Sequence, residues 1–235
     1  MLKDIKRLIQ KQSFAPGFLG LFVNPFYFAR KGLHQHITAY APLLRGRLLD
    51  VGCGSKPYLK YFKVSEYVGL EIEGRNKLAE KHYNGKDFPF GDGEFDSVLV
   101  SQVLEHVFNP QEFLAEVNRA LKGGGLLLLT VPFIWDEHEQ PFDCARYTTF
   151  GLRHLLEKQG FEIVDFKKSM ADIRVIFQMV NSYIYKKTHT DNTALNLLFT
   201  LVVIAPVNLL GEFSACILPG NDDLYLDNIV LARKK

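Results

Sequence analysis

The chain has almost no net charge. It carries 28 lysines and arginines against 26 aspartates and glutamates, which gives a net charge of +2. This surplus is too small to produce a global field that recruits nucleic acid, so we expect no nucleic-acid partner, and any charged contact must come from a local patch. The hydrophobic share of 47% and the charged share of 23% exclude general disorder and are typical of a globular protein.

Cysteine is also scarce. The chain has three, Cys53, Cys144 and Cys216, which lie far apart and form no Cys-x-x-Cys pair. An odd number without such a pair excludes a disulfide framework and a thiolate zinc site. The pattern indicates reduced thiols in a cytoplasmic protein.

The N-terminal segment lacks the features of a secretory signal. The uncharged stretch from Phe14 to Ala29 is interrupted by proline and glycine and has no small-residue cleavage site, so we expect broken short helices instead. Before it, Leu2, Ile5, Leu8 and Ile9 share one face of a basic amphipathic helix. Such a helix lies on a membrane surface or docks on its own domain, and the sequence leaves both open.

A second apolar segment carries no charge from Asn192 to Gly211. About 20 apolar residues suffice to cross a bilayer, but the chain must return to the same sheet, and Asn196, Pro206 and Asn208 interrupt the run. We therefore expect two short helices in a hairpin. Exposing its Leu, Val and Phe side chains to water would forgo roughly 1.5–3 kcal/mol each. The protein's own core, a homodimer partner, lipid or a lipid-like substrate therefore covers them.

Between these segments, strands and helices alternate from Arg47 onward, which predicts a parallel sheet covered on both faces. The predicted strands are residues 47–51, 67–72, 82–84, 96–101, 126–131, 161–166 and 225–233. Asn109, Pro110 and Glu112 predict a capping box on the helix after the fourth strand, and Thr148 predicts the N-cap of the next helix. We assign residues 1–45 to a helical extension that acts as a lid or docking surface, residues 46–235 to the α/β domain, and residues 168–222 to an apolar helical insertion within it.

A glycine turn follows the first predicted strand. Gly52-Cys53-Gly54 lets the backbone approach a ligand closely, and Ser-Lys-Pro after it predicts the start of a helix. Glu71 follows about 20 residues later at the end of the second strand, where an acid binds ribose hydroxyls. The third glycine of a dinucleotide fingerprint is missing, since Lys56 stands near its position. A mononucleoside cofactor therefore fits better than NAD.

Several motifs together resemble the class I S-adenosylmethionine-dependent methyltransferases, of the type that includes quinone and glycan-pathway enzymes. They are Leu49–Gly54, Phe88–Val98, Leu104–Val107, Leu121–Gly125, Ala145–Thr148 and Gly160-Phe161. The resemblance covers nearly the whole chain. It implies a Rossmann-like doubly wound sheet of seven strands in the order 3-2-1-4-5-7-6, with the last strand antiparallel, and S-adenosylmethionine as the cofactor.

The resemblance also implies a set of cofactor-binding residues, from the methionine part to the ribose, the adenine and the transferable methyl. They are Asp50, Gly52, Cys53, Gly54, Glu71, Asn84, Phe88, Ser101 and Gln102. At Asn84 the family often has an acid; the amide carbonyl of Asn84 can still accept a hydrogen bond from the adenine amino group.

Transfer to a hydroxyl needs a base, and histidine suits this role near neutral pH. His106 and His138 are the candidates, because both follow the carboxyl ends of predicted strands. Each also has a non-catalytic alternative: His106 as a hydrogen-bonded histidine beside the pocket, and His138 as a histidine of a surface loop. Glu105 shares one helical turn with His106 and Gln102. Some family members bind a divalent metal here with two acids, but Gln102 replaces the first acid, so we expect no metal.

The loop after the fifth strand supplies candidate substrate contacts. They are Trp135, Asp143, Arg146 and Tyr147, of which Trp135 is equally well explained as core. We expect a methyltransferase that acts on an oxygen of a small-molecule or lipid-linked acceptor. It would be cytoplasmic and peripheral to the inner face of the membrane, which it would contact through residues 1–30 and 192–218. The alternatives are a silent S-adenosylmethionine-binding scaffold and an RNA or protein methyltransferase; a homodimer stays open.

Overall fold

The computed structural model describes residues 2–235, with side chains from Leu8 onward. The side chains of Leu2 and Ile5, on which the predicted amphipathic face partly depends, lie outside the described residues. The helices are α1 (Leu2–Phe14), α2 (Gly20–Val23), α3 (Tyr27–Tyr40), α4 (Pro110–Ala120), α5 (Thr149–Lys158), α6 (Arg174–Thr188), α7 (Thr193–Phe199) and α8 (Ala205–Ile217).

Seven strands form one mixed sheet. They are β1 (Arg47–Val51), β2 (Glu66–Ile72), β3 (Lys81–Tyr83), β4 (Phe95–Ser101), β5 (Leu121–Pro132), β6 (Phe161–Ser169) and β7 (Asp227–Lys234), and their order is β3-β2-β1-β4-β5-β7-β6. The pairs from β3 to β5 are parallel. The chain order reverses at β7: Leu226 N–H donates to Ser169 O and Lys235 N–H to Gly160 O, so residue numbers rise on one strand as they fall on the other. The predicted fold is confirmed.

The central strands form the core because both of their faces are covered. Four of the five β1 residues are buried, and β4 and β5 are buried along most of their length. Helices α4 and α5 add Leu114, Val117, Leu152 and Leu156, none of which is exposed to solvent. Continuous apolar runs of this kind are typical of strands buried on both faces. The carboxyl ends of β1, β2 and β4 are thereby fixed at one edge of the sheet.

Two predicted local details are wrong. The helix expected after the glycine turn is only a single 3₁₀ turn, Leu59–Tyr61, because the connection from β1 to β2 is short and must bury Tyr58 and Phe62 on the way. The Asn109 side chain makes no capping hydrogen bond, although the helix does begin at Pro110. By contrast, the Thr148 hydroxyl does accept from Gly151 N–H at 3.1 Å, as predicted.

The chain divides into two compact units. The α/β unit comprises His36–Phe133, Glu137–Lys167 and Asn228–Lys235. The helical unit comprises the chain as far as Gln35, together with Ile134–Asp136 and Lys168–Asp227.

The apolar run in the helical unit forms one continuous helix of 25 residues, Thr193–Ile217, and the two short helices predicted there are wrong. Pro206 does not end the helix, because a π-helical turn, Thr200–Ile204, directly precedes α8. Ala205 N–H donates to Thr200 O, five residues earlier, so the pattern of backbone hydrogen bonds is already shifted just before Pro206. The missing N–H of Pro206 therefore does not interrupt the helix. By length and composition, this helix alone among the described residues could cross a bilayer. Within its apolar 18-residue window, 28% is buried.

Amides fix the helical unit internally. The Asn208 side chain, which is fully buried, accepts from Asn181 Nδ2 at 2.8 Å and donates to Leu21 O at 2.9 Å. Gln178 Oε1 accepts from the backbone N–H groups of Phe28 and Ala29 at 3.1 and 3.2 Å. Asn208 is therefore an internal tether between α8 and its neighbours, where the sequence had suggested a helix break.

Candidate functional site

The glycine turn after β1 borders a cleft in the α/β unit. Gly52 has φ +68°, and a Cβ there would lie 2.4 Å from Val103 Cγ2, so this position requires glycine. Gly54 has φ +47° with no heavy atom within 4 Å of the place a Cβ would take. The backbone of Gly54 thus faces open space and can approach a ligand.

The cleft has a volume of about 490 Å³, which is within the range of small-molecule sites. Its lining comprises Gly52, Gly54, Glu71, Ile72, Glu73, Gly74, Arg75, Tyr83, Gln102, Val103, His106, Val107, Glu139 and Phe142. Glu71 is only 7% exposed and accepts from Gly54 N–H at 3.2 Å. An acid placed beside a glycine turn, with space in front of both, fits a nucleoside cofactor.

Asp50 lies beneath this turn and does not line the cleft. It is 5% exposed, and the Tyr67 hydroxyl donates a hydrogen bond to its carboxylate. Burial raises the pKa of Asp50 to about 7, although the Tyr67 hydrogen bond acts in the opposite direction. Cys53 is also buried, and burial together with the Asp50 charge raises the pKa of its thiol to about 12. That thiol is therefore protonated at neutral pH.

The remaining predicted cofactor residues lie in different environments. The Asn84 carbonyl oxygen accepts from Lys86 and Asp87 N–H at 2.8 and 2.9 Å, so it closes a local turn and does not line the cleft. Phe88 is 4% exposed and packs edge-on against Phe113 in the core. These contacts give both residues structural roles, and neither lines the cleft.

Ser101 and Gln102 end β4. Ser101 Oγ lies 3.1 Å from Thr130 Oγ1, and Gln102 N–H donates to Thr130 O at 2.9 Å. Gln102 adopts a left-handed φ of 57° and borders the cleft, whereas Ser101 does not. Thr130, which the sequence did not single out, fixes both residues.

His106 lies on the cleft wall in a 3₁₀ turn, Leu104–His106. Its Nδ1 is 3.0 Å from Phe142 O. A carbonyl oxygen only accepts, so Nδ1 carries the proton and the neutral ring presents a lone pair at Nε2. Burial lowers the pKa of His106 below 6.5, although the Phe142 carbonyl acts in the opposite direction. The imidazole is therefore neutral at pH 7 and able to accept a proton.

His138 packs beside His106, with ring centroids 4.8 Å apart. Its Nδ1 is 3.3 Å from Asp143 Oδ2, which also accepts from the His138 backbone N–H at 3.0 Å. The Arg146 guanidinium binds both oxygens of Asp143 at 2.6 and 2.7 Å. Two predicted substrate residues, Asp143 and Arg146, thus form a bidentate pair that orients His138.

Glu105 is fully buried, and its Oε1 lies 3.9 Å from His106 Nε2. One ligand atom from each of Glu105, His106 and His138 lies within 4.8 Å of the others. The structure therefore brings together all three predicted catalytic residues. Two imidazoles and a carboxylate could also hold a divalent cation, so the expected absence of a metal stays a prediction.

The other two predicted substrate residues do not line the cleft. Trp135 belongs to the helical unit, where its ring lies 5.9 Å from that of Phe26. Tyr147 O accepts from Asn228 Nδ2 at 2.7 Å, and burial raises the pKa of the Tyr147 hydroxyl to about 12.

The methyltransferase-domain family matches residues 26–165, more than half of the 235 residues. The chain belongs to the S-adenosylmethionine-dependent methyltransferases. The matched segment contains the glycine turn, Glu71 and the His106–His138 cluster. The residues present fit S-adenosylmethionine, with Glu71 and the Gly52–Gly54 backbone as the groups that would hold it.

Two curated relatives and one solved structure illustrate the similarity. The ubiquinone biosynthesis O-methyltransferase of Maricaulis maris is 30% identical over 40% of this chain and 44% of its own. The fatty-acid O-methyltransferase of Mycolicibacterium smegmatis is 31% identical over 42% of this chain and 41% of its own. The chain therefore spans less than half the length of these relatives. An S-adenosylmethionine-dependent methyltransferase of Archaeoglobus fulgidus has a TM-score of 0.57 at 20% identity, covering 93% of this chain and 100% of that one, which shows a shared fold.

Sequence reasoning missed several residues of the methyltransferase cleft. Arg75 Nη1 and Glu139 Oε2 pair at 3.3 Å, and both residues border the cleft together with Tyr83 and Phe142. Glu139 adjoins His138 in the loop that the sequence analysis named as a source of substrate contacts, so Glu139 could have been predicted from the sequence. Arg75 lies in a weakly patterned segment with no comparable signal.

The Asp143 carboxylate should make the stability of this methyltransferase depend on pH. Burial alone would raise the pKa of Asp143, but hydrogen bonds from Arg146 and His138 N–H outweigh it and lower the pKa to about 2. A depressed carboxylate pKa stabilises the fold above the unfolded value of about 3.9, and this stability is lost as pH falls toward the folded value. We expect Asp143→Asn to lower Tm by roughly 5 °C at pH 7.

Thermal unfolding of both proteins between pH 7 and pH 2 measures this effect. The difference in Tm should shrink below about pH 4. Asp92→Asn is the control, because the Asp92 side chain is 84% exposed, and its Tm should stay close to that of the parent. A Tm difference for Asp143→Asn that does not change with pH would contradict the linkage.

Proposed function

We propose that the protein transfers the methyl group of S-adenosylmethionine to an oxygen of a small or lipid-linked acceptor. The observation that carries the proposal is the neutral imidazole of His106 on the wall of the cofactor cleft. A hydroxyl becomes nucleophilic as it loses its proton, so oxygen transfer requires a base in this position. Bound S-adenosylmethionine supplies an electrophilic methyl and a thioether leaving group.

The residues of the chain would orient the acceptor and take its proton. His106 Nε2 would accept the proton of the acceptor hydroxyl, while the carbonyl of Phe142 holds the ring through Nδ1. Asp143 would hold the adjacent His138 ring in place through Nδ1. The nearby Glu105 carboxylate would stabilise His106 once it is protonated. Two of the relatives are named as O-methyltransferases, which supports an oxygen acceptor.

The lipid-linked acceptor is supported by the surface of the helical unit. We define the apolar stripe as the residues of the long helix whose side chains are half or more exposed, Leu195, Leu198, Val202, Leu210, Phe213 and Ile217. Their spacing of three, four or eight residues is typical of one helical surface. Large exposed apolar patches mark interaction sites, and we propose that this one rests on the inner face of a membrane.

A transfer assay tests the acceptor. The purified protein, with methyl-labelled S-adenosylmethionine, should label hydroxyl groups of an amphiphile panel and leave matched primary amines unlabelled. Labelling of the amines alone would reject an oxygen acceptor. Cofactor binding without labelling of any fraction of a cell extract would favour the silent scaffold instead.

Vesicle sedimentation tests the membrane contact. We expect the double variant Leu198→Glu/Phe213→Glu to lower the partition onto phosphatidylglycerol vesicles at least tenfold, because each exposed apolar side chain contributes roughly 1.5–3 kcal/mol when it leaves water. Phe108→Glu is the matched control, since Phe108 is 88% exposed in the α/β unit and its loss should not change the partition. If the parent ignores vesicles and sediments as a dimer that the double variant breaks, the stripe is a homodimer contact.

A further inference from the structure

The helical unit contains a second cavity, which shares no residue with the cofactor cleft. Its volume is about 380 Å³, and its lining comes from α1, the α2–α3 connection, α3 and the region from the end of α6 to the π-helical turn. Phe14, Val23, Phe26 and Leu197 form apolar parts of the wall. The volume is near the lower end of the range of about 300–1,000 Å³ for ligand pockets, so it suits one acyl chain better than two.

Arg30 contributes a cation to the lining of this cavity. The Arg30 guanidinium carbon is 5.1 Å from the centre of the Phe14 ring. None of the carboxylates described from Leu8 onward pairs with it, whereas two other cations of the same unit are paired: Lys31 Nζ lies 2.6 Å from Glu212, and Arg174 binds Asp172. A half-buried guanidinium offers a planar fork of N–H donors that matches a carboxylate.

Tyr185 supplies a second donor. Its ring packs edge-on against Phe26, with centroids 5.0 Å apart, and it lies 4.7 Å from the His189 ring. Its hydroxyl has no hydrogen-bond partner among the described residues. Burial raises the pKa of Tyr185, so this hydroxyl keeps its proton and can donate it. Apolar walls with a few polar groups are the usual composition of a site that binds an amphiphile.

From this juxtaposition we infer that the cavity binds a single-chain carboxylate amphiphile of the fatty-acid type. The carboxylate would pair with Arg30 and accept from the Tyr185 hydroxyl, and the chain would pack against Phe14, Phe26 and Leu197. The inference does not depend on the acceptor proposed above, because it concerns binding alone and a different set of residues.

Calorimetric titration of the full chain with decanoate below its micellar concentration tests the site. Decanol is the matched probe, since it has the same chain without the charge. We expect the parent protein to bind decanoate at least tenfold more tightly than decanol, because a charge-assisted hydrogen bond favours the anion by about tenfold to a hundredfold. Arg30→Met should remove this preference while decanol binding stays unchanged.

Further variants make the test decisive. Lys187→Met removes an exposed cation of α6 outside the cavity and should leave both affinities unchanged. Tyr185→Phe keeps the ring and should weaken decanoate alone by about threefold to tenfold, which tests the site even if Arg30→Met does not fold. Equal binding of decanoate and decanol by the parent, no saturable binding, or tighter binding of dioctanoyl phosphatidylglycerol than of decanoate would each overturn the inference.

Discussion

Replacing Glu71 with alanine should weaken S-adenosylmethionine binding about a hundredfold, because hydrogen bonds to a charged group contribute about 1.5–3 kcal/mol each and a carboxylate can accept from both ribose hydroxyls. Glu71 is 7% exposed and already accepts from Gly54 N–H, so it is held in place before the cofactor binds. The substitution removes that pre-organised acceptor and loosens the glycine turn. Titration calorimetry with S-adenosylmethionine measures the change in Kd.

Two variants separate the ribose contact from general damage to the cleft. Glu73→Ala removes an exposed carboxylate that lines the same cleft, and its Kd should change less than threefold. Glu71→Gln keeps the shape but loses the charge, and we expect an intermediate Kd. If Glu71→Ala binds the cofactor as the parent does, Glu71 does not hold the ribose.

The second large effect is expected at His106. His106→Ala should lower kcat by a factor of about 10²–10⁴, the usual contribution of a positioned base. The Kd for S-adenosylmethionine should change less than threefold, because the proposed role of the ring concerns the acceptor. Single-turnover rates with the acceptor from the transfer assay provide the measurement. His154→Ala is the control, since His154 is an exposed histidine of α5 in the same unit.

The pH profile provides an independent readout of the same role. Burial lowers the pKa of His106 below 6.5, and a base must be neutral to accept a proton. The parent should therefore lose kcat only as pH falls below that lowered pKa, and kcat should be flat from pH 6.5 to 8. His106→Ala should lack this acid limb. Loss of activity with a chelator would instead assign the Glu105, His106 and His138 side chains to a divalent cation.

The sequence was informative wherever local chemistry decides structure. Strand β1 has the predicted bounds, because the run from Leu48 to Val51 is buried and ends at a glycine turn. Thr148 caps its helix because the hydroxyl needs only a backbone N–H three residues on. The position of Glu71 beside the turn follows from the register of β1 with β2.

The sequence did not predict the structure where contacts between residues distant along the chain determine it. Pro206 and Asn208 read as helix breakers by propensity, but the π-helical turn and the Asn181 amide, 27 residues away, keep the helix continuous. The pairing of Asp143 with Arg146 and its contact with the His138 ring both depend on how the loop after β5 folds. Arg75 reaches the cleft only because β2 and the loop of Glu139 meet there.

The buried amides of Gln178, Asn181 and Asn208 also bear on how freely the sequence of the helical unit can change. Asn208 fixes the rotation of the long helix, because it accepts from Asn181 of α6 and donates to Leu21 O, while Gln178 joins α6 to α3. The placement of the long helix therefore does not rely on its outward side chains. Substitutions at outward positions such as Val202 and Phe213 therefore leave the packing intact, whereas replacing Asn208 leaves Leu21 O unsatisfied. A library randomised at the outward positions should retain folded members with very different surface polarity, while one randomised at the amides should retain few.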